Sequence, residues 1–176
     1  MLKKALFILL LVLCGLAGLL LTARGSRFAV QQSEVFPQPP SVVWQLVSDV
    51  DGWPRWWPGV ERASLLGPLA VGSRIDLKLR GLPETQPVRL VTLVPQRQLE
   101  WSGKGVLAST VATRVELHKT AQGCEVRLSN SIVGPQAVLA RYGSGDDFPR
   151  YQKLFLQSLA KRLQEQSPTA QGREKD

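Results

Sequence analysis

The chain has little of the chemistry from which metal centres and nucleophilic sites are built. Among its 176 residues there are one histidine and two cysteines. A structural or catalytic zinc ion needs a cluster of His, Cys or carboxylate ligands at close spacing, and no DxDxDG loop is present for calcium, so neither a metal nor another cofactor is expected. The single histidine, His118, falls on the polar face of a predicted strand without a Ser, Cys or carboxylate partner at strand spacing, which argues against a nucleophile-base pair. Cys14 lies in an apolar run and Cys124 stands alone in the rest of the chain. No disulfide can therefore form within the folded part, and Cys124 reads as a small core residue. The glycines of "RGLPE", "SGKG" and "RYGSGDD" do not follow a phosphate-loop pattern, so nucleotide binding has no support.

Charge is scarce at the amino terminus. "MLKKALFILLLVLCGLAGLLLTARGS" carries Lys3 and Lys4 and then no charge from Ala5 to Ala23, which as a helix spans about 28 Å at roughly 1.5 Å per residue. That length barely crosses a bilayer. Residues 1–26 are therefore expected to form a retained membrane anchor. The alternative is a cleaved signal peptide with an imperfect exit at Leu21–Ala23, giving a secreted domain. Lipidation is rejected because Leu13 precedes Cys14 and apolar sequence continues beyond it. Lys3, Lys4 and the amino terminus slightly outweigh Arg24 and Arg27, which places the domain on the outer side of the membrane. The whole chain carries a net charge of +8; without Lys3, Lys4 and Arg24 it retains 19 basic residues against 14 acidic ones, a net +5. These charges are scattered, so anionic headgroups would be tolerated and no nucleic-acid stripe is formed.

The remainder, 27–166, reads as one α+β domain, followed by a polar tail at 167–176 that is expected to be disordered. "RFAVQQSEVF" has strand composition and "PQPP" stops it. Pro39 and Pro40 suit the first turn of a short helix with Val43, Trp44, Leu46 and Val47 on one side, ending at Asp49 and Gly52. From Val60 the period changes to two. Ile75, Leu77 and Leu79 share one face of a strand, Leu99 and Trp101 point inward on another, and Val111, Thr113, Val115 and Leu117 alternate on a third. Val126, Leu128, Asn130 and Ile132 complete an antiparallel meander with one wet side. A closing helix, capped by Asp146 or Asp147 and accepting Pro149 in its first turn, carries Tyr151, Leu154, Phe155, Leu159 and Leu163 as an apolar stripe.

Such a sheet has one apolar face, and the closing helix is the only element long enough to cover it. One helix cannot fill a curved sheet of about seven strands. The space left between them is expected to be a pocket for an apolar small molecule.

The order of elements, with "PPSVVWQLVSDVDGWPRWWPGV" after the first strand, "GSRIDLKL" and "VPQRQLEWSGKG" in the middle, and the final amphipathic helix, resembles the START-like superfamily of helix-grip folds. The similarity is to its polyketide cyclase/dehydrase-like branch, also called SRPBCC, and it covers roughly 27–166. The pattern consists of Val43 and Trp44, Asp49, Trp53, Trp56, Pro58 and Val60, and then the turn and strand from Pro95 to Trp101. The resemblance implies a deep pocket for lipids, isoprenoids, polyketides or other hydrophobic molecules, with catalysis in only some members. The inward faces here offer mainly Thr113 and Asn130 as polar groups, so the resemblance supports binding more than chemistry.

"DGWPRWWPG" puts three tryptophans into nine positions, and rings so costly to leave in water must cover something. Beside a pocket entrance they would form its wall or lid, with Trp57 the ligand-facing candidate and Trp53 and Trp56 read as wall or core. The expected binding set is Trp53, Trp56, Trp57, Leu77, Leu79, Leu90, Trp101, Thr113, Val115, Leu128, Asn130, Tyr151 and Phe155. Asn130 stands out because a lone amide on an apolar face must find partners. "VGPQAVLARYGSGDDFP" reads as a helical turn or a loop over the pocket mouth.

Three functions follow as expectations. The first is a membrane-tethered module that binds a hydrophobic molecule without altering it, and the second is a cyclase- or dehydratase-like enzyme in which Asn130 and Thr113 orient the substrate. The third is an envelope protein whose tryptophans dock a partner, which requires a filled core and no cavity. No oligomer interface pattern stands apart from the core pattern.

Overall fold

The computed structural model describes residues 2–144 and 147–166. The expected tail, 167–176, and the candidate cap Asp146 lie outside the described residues. The order is α1 (Leu2–Ala23), β1 (Arg27–Phe36), α2 (Pro40–Ser48), a 3-10 turn (Val50–Gly52), α3 (Trp53–Trp56), β2 (Val60–Leu66), β3 (Arg74–Leu79), β4 (Gln86–Val94), β5 (Gln98–Lys104), a second 3-10 turn (Val106–Ala108), β6 (Thr110–Thr120), β7 (Gly123–Val133), α4 (Gln136–Leu139), a π turn (Ala140–Ser144) and α5 (Asp147–Glu165).

The seven strands form one antiparallel sheet in the order β1-β7-β6-β5-β4-β3-β2. The expected strand count and meander are therefore present, and the first strand closes onto the last. Alternation sets the faces: in β7, Cys124, Val126, Leu128, Asn130 and Ile132 are all buried, while the residues between them are half-buried. Cys124 is core, as expected, and burial pushes its thiol pKa up. His118 is exposed and stands opposite Glu125 on the neighbouring strand.

Pro40 opens α2, where its missing N–H costs nothing. The helix buries Val43, Leu46 and Val47 and leaves Trp44 half-buried. The long helix α5 packs on the apolar face of the sheet in one continuous core that runs from Phe36 to Leu163. Its buried stripe is Gln152, Phe155, Leu156, Leu159 and Leu163. This corrects the expected stripe by part of a turn: Leu154 is 40% exposed, and Leu156 takes its place in the core.

Among the described residues no helix is long and apolar enough to cross a membrane. The bilayer-spanning role expected of residues 1–26 therefore does not follow from the described structure. Residues 6–13 of α1 are apolar at every position and each side chain is more than half exposed.

Candidate functional site

The tryptophan segment is shaped by its own short-range bonds. The Asp49 carboxylate accepts from Gly52 N at 3.1 Å and from Arg55 Nη2 at 2.9 Å, which holds the 3-10 turn against α3. Trp53 then turns inward and its indole N–H donates to Val47 O at 3.0 Å. All three rings are buried. Trp53 meets Trp101 with centroids 4.8 Å apart, Trp56 meets Phe155 at 5.3 Å, and Trp57 lies edge-on to Phe155 at 4.8 Å and near Tyr151 at 5.6 Å. The segment thus plugs the space between the sheet and the start of α5.

The plug is incomplete, and a cavity of about 280 Å³ remains beside it. Its walls are Trp57, Leu77, Leu79, Trp101, Thr113, Asn130 and Tyr151, all expected from the sequence, together with Val111, Asp147 and Phe148. The other expected residues are placed elsewhere. Trp53, Trp56, Leu90, Val115, Leu128 and Phe155 are buried in the surrounding core and do not line the cavity. They belong to the continuous core around the cavity, to which α2, α3 and α5 all contribute.

The polar end of the cavity is built on a single cross-strand row. Val30, Asn130, Thr113, Trp101 and Leu90 stand directly opposite one another across β1, β7, β6, β5 and β4. Gln152 of α5, with no exposed surface, reaches down to this row. Its Nε2 donates to Val30 O at 3.0 Å, Leu128 O at 3.2 Å and Asn130 Oδ1 at 2.9 Å. Asn130 Nδ2 in turn donates to Thr113 Oγ1 at 2.9 Å. The amide singled out in the sequence therefore finds its partners in a neighbouring hydroxyl and a helix amide. Gln152 itself was missed. The signal was available, since it sits three, four and seven positions before Phe155, Leu156 and Leu159, on their face of the helix.

Two further features set the shape. Gly59 is buried, and a Cβ built there would lie 2.6 Å from Tyr151 Cε2 and 3.2 Å from both Cζ and Oη. The tyrosine ring can lie where it does only because residue 59 has no side chain. Burial also pushes the Tyr151 phenol pKa well above its ordinary value, so the hydroxyl stays protonated. Trp57 Nε1 is buried with no acceptor among the described residues, at a cost of about 1–3 kcal/mol if none is supplied.

Of the two readings of the segment after β7, a helical turn or a loop over the pocket mouth, the helical one is present, as α4 followed by a π turn. Ala137 and Ala140 are buried, whereas Tyr142 is 82% exposed and does not line the cavity. Among the described residues no group of three or more His, Cys, Asp or Glu could hold a metal ion.

The family described as "Polyketide cyclase / dehydrase and lipid transport" matches residues 27–167. No curated protein matches the chain. Similar solved structures include the ZhuI aromatase/cyclase from Streptomyces sp. R1128, at 15% identity and a TM-score of 0.67, covering 82% of this chain and 98% of that one. The di-domain aromatase/cyclase StfQ from the steffimycin biosynthetic pathway is similar at 12% identity and a TM-score of 0.65, covering 82% of this chain and 53% of that one. Protein MLL2253 from Mesorhizobium loti is similar at 16% identity and a TM-score of 0.62, covering 80% and 99%. At these identities the likeness establishes the fold, a helix-grip arrangement of seven antiparallel strands and a carboxy-terminal helix.

Proposed function

The chain belongs to the polyketide cyclase/dehydrase and lipid transport family, and from that premise we propose that it is a membrane-tethered module that binds a hydrophobic small molecule without altering it. The observation that carries this reading is the cavity of about 280 Å³, whose walls are aromatic and aliphatic apart from Thr113, Asn130, Asp147 and the Tyr151 hydroxyl. It sits at the small end of the roughly 300–1,000 Å³ usual for ligand pockets, which suits a compact ring system or a single short chain.

The tether is supported by α1. A helix that is apolar on all sides and exposes residues 6–13 needs either a protein core or lipid around it. Exposed Leu107, Leu139 and Tyr142 lie on the turns at the end of the sheet where β1 begins, and there Arg141 Nη2 donates to Arg27 O at 2.9 Å. Apolar side chains beside arginines suit a headgroup boundary. Extraction of membranes at alkaline pH is expected to leave the full chain in the pellet. Release into the supernatant would remove the anchor from the proposal.

The binding reading is tested by native mass spectrometry of the full chain, purified in mild detergent, followed by extraction of any bound mass. A co-purified apolar molecule is expected. A chain that is empty and takes up no apolar probe would sink the reading.

One observation favours the enzymatic alternative, a cyclase- or dehydratase-like activity on a hydrophobic substrate. Asp147 and Tyr151 put titratable groups on the cavity wall, which the inward faces of the strands had not offered. Recovery of the bound molecule short of one water after incubation would move the assignment to that class.

A further inference from the structure

The hydrogen-bond chain beside the cavity has a direction, and the direction bears on what the cavity can hold. Main-chain carbonyls only accept, so the bonds to Val30 O and Leu128 O identify the contacting atom of Gln152 as its NH₂ nitrogen. That nitrogen must meet the oxygen of Asn130, which turns the Asn130 nitrogen toward Thr113. Thr113 Oγ1 is then an acceptor in this bond, and no acceptor for its own proton is present among the described residues. One amide proton of Asn130 is likewise left over. Thr113 and Asn130 both line the cavity. The unpaired acceptor of the network, Gln152 Oε1, belongs to a residue that does not line it.

We propose that the cavity selects a neutral apolar molecule bearing a carbonyl-type hydrogen-bond acceptor, such as a ketone, quinone or ester, which Thr113 Oγ1–H and the free Nδ2 proton of Asn130 bind. This rests on the binding function proposed above and narrows its ligand class. A free carboxylate is disfavoured, because no Lys or Arg is among the lining residues and Asp147 is; such a ligand would be desolvated beside a like charge. A pure hydrocarbon is disfavoured as well, since it would leave every one of these donors without a partner.

The test uses the full chain in detergent and three probes that share one ring system: 2-acetylnaphthalene, 2-ethylnaphthalene and 2-naphthoate. Trp57 and Trp101 line the cavity, so quenching of intrinsic fluorescence reports occupancy. The ketone is expected to bind about tenfold or more tightly than either other probe, as for a site whose polar groups are left unpaired by the wrong ligand. Thr113→Val should bring the ketone and the hydrocarbon to within about twofold of each other, weakening the first and strengthening the second because the unpaired hydroxyl is gone, and Thr113→Ser should keep the preference. Equal binding of ketone and hydrocarbon to the unmodified chain would overturn the inference while leaving a binding cavity in place. Preferred binding of the naphthoate would overturn the choice of a neutral ligand. Failure of all three to bind would overturn the binding function along with it.

Discussion

Gly59→Ala is expected to lower uptake of 2-acetylnaphthalene by at least about tenfold, equivalent to roughly 1.4 kcal/mol, in a chain that still folds. The added methyl would stand 2.6 Å from Tyr151 Cε2, well inside contact distance. Tyr151 sits near the start of α5, whose next turns are pinned by buried Phe155 and Leu156, so the helix backbone has little freedom to retreat. Trp57 blocks one side of the ring, with centroids 5.6 Å apart. The void that Tyr151 itself lines is the open direction, and the ring would move into it. Overpacking of this kind costs about 1–3 kcal/mol, which thermal unfolding would register as a modest shift. Shortening the displaced side chain should relieve it, so Gly59→Ala combined with Tyr151→Leu is expected to regain uptake relative to Gly59→Ala alone. Unchanged uptake in the single variant would show that the ring moves outward and that residue 59 does not control the volume.

The second large effect is on stability. Trp53→Ala deletes a ring that is 1% exposed and packs against Trp57 and Trp101, and it leaves Val47 O without its indole donor. Losses of about 3–5 kcal/mol are usual for such a truncation, against a total of about 5–15 kcal/mol for a domain. The melting temperature should fall by roughly 10–20 °C, taking a few degrees per kcal/mol. Differential scanning calorimetry of the two proteins checks this. A fall under about 5 °C would mean that the ring is dispensable to the core and would return Trp53 to the list of ligand contacts. Trp53→Phe keeps most of the apolar area and is expected to lie between the two.

These two residues mark what the sequence made legible and what it did not. Period-two alternation gave the inward faces of β3, β5, β6 and β7, because a strand with one wet side has few ways to be arranged. Five of the expected binding residues, Leu77, Leu79, Trp101, Thr113 and Asn130, accordingly line the cavity from the strands. The faces alone do not distinguish a residue that borders empty space from one covered by a helix; Val115 and Leu128 point the same way as Thr113 and Asn130, yet they are packed over. That distinction depends on where α2 and α5 lie over the sheet, and the phase of α5 is hidden in the sequence because a buried polar residue, Gln152, lies on its apolar stripe. Counting only apolar positions drew the stripe toward Leu154 and away from Leu156. Gly59 was silent for a related reason, since its role is to leave room for a ring that lies 92 positions later in the chain.

The bond between Gln152 and Val30 also bears on how the chain comes into being. Its partners are 122 positions apart, and at roughly 5–20 residues per second a ribosome needs about 6–24 s to make the chain between them. For most of that interval β1 has no neighbour, because its only partner in the sheet is β7, the last strand synthesised. The molecule therefore acquires the cavity between sheet and helix in the final moments of biosynthesis, as a long-range closure and not as a local hairpin. Until then Gln31, Ser33 and Glu34 keep the waiting strand polar enough to resist pairing with a neighbouring chain.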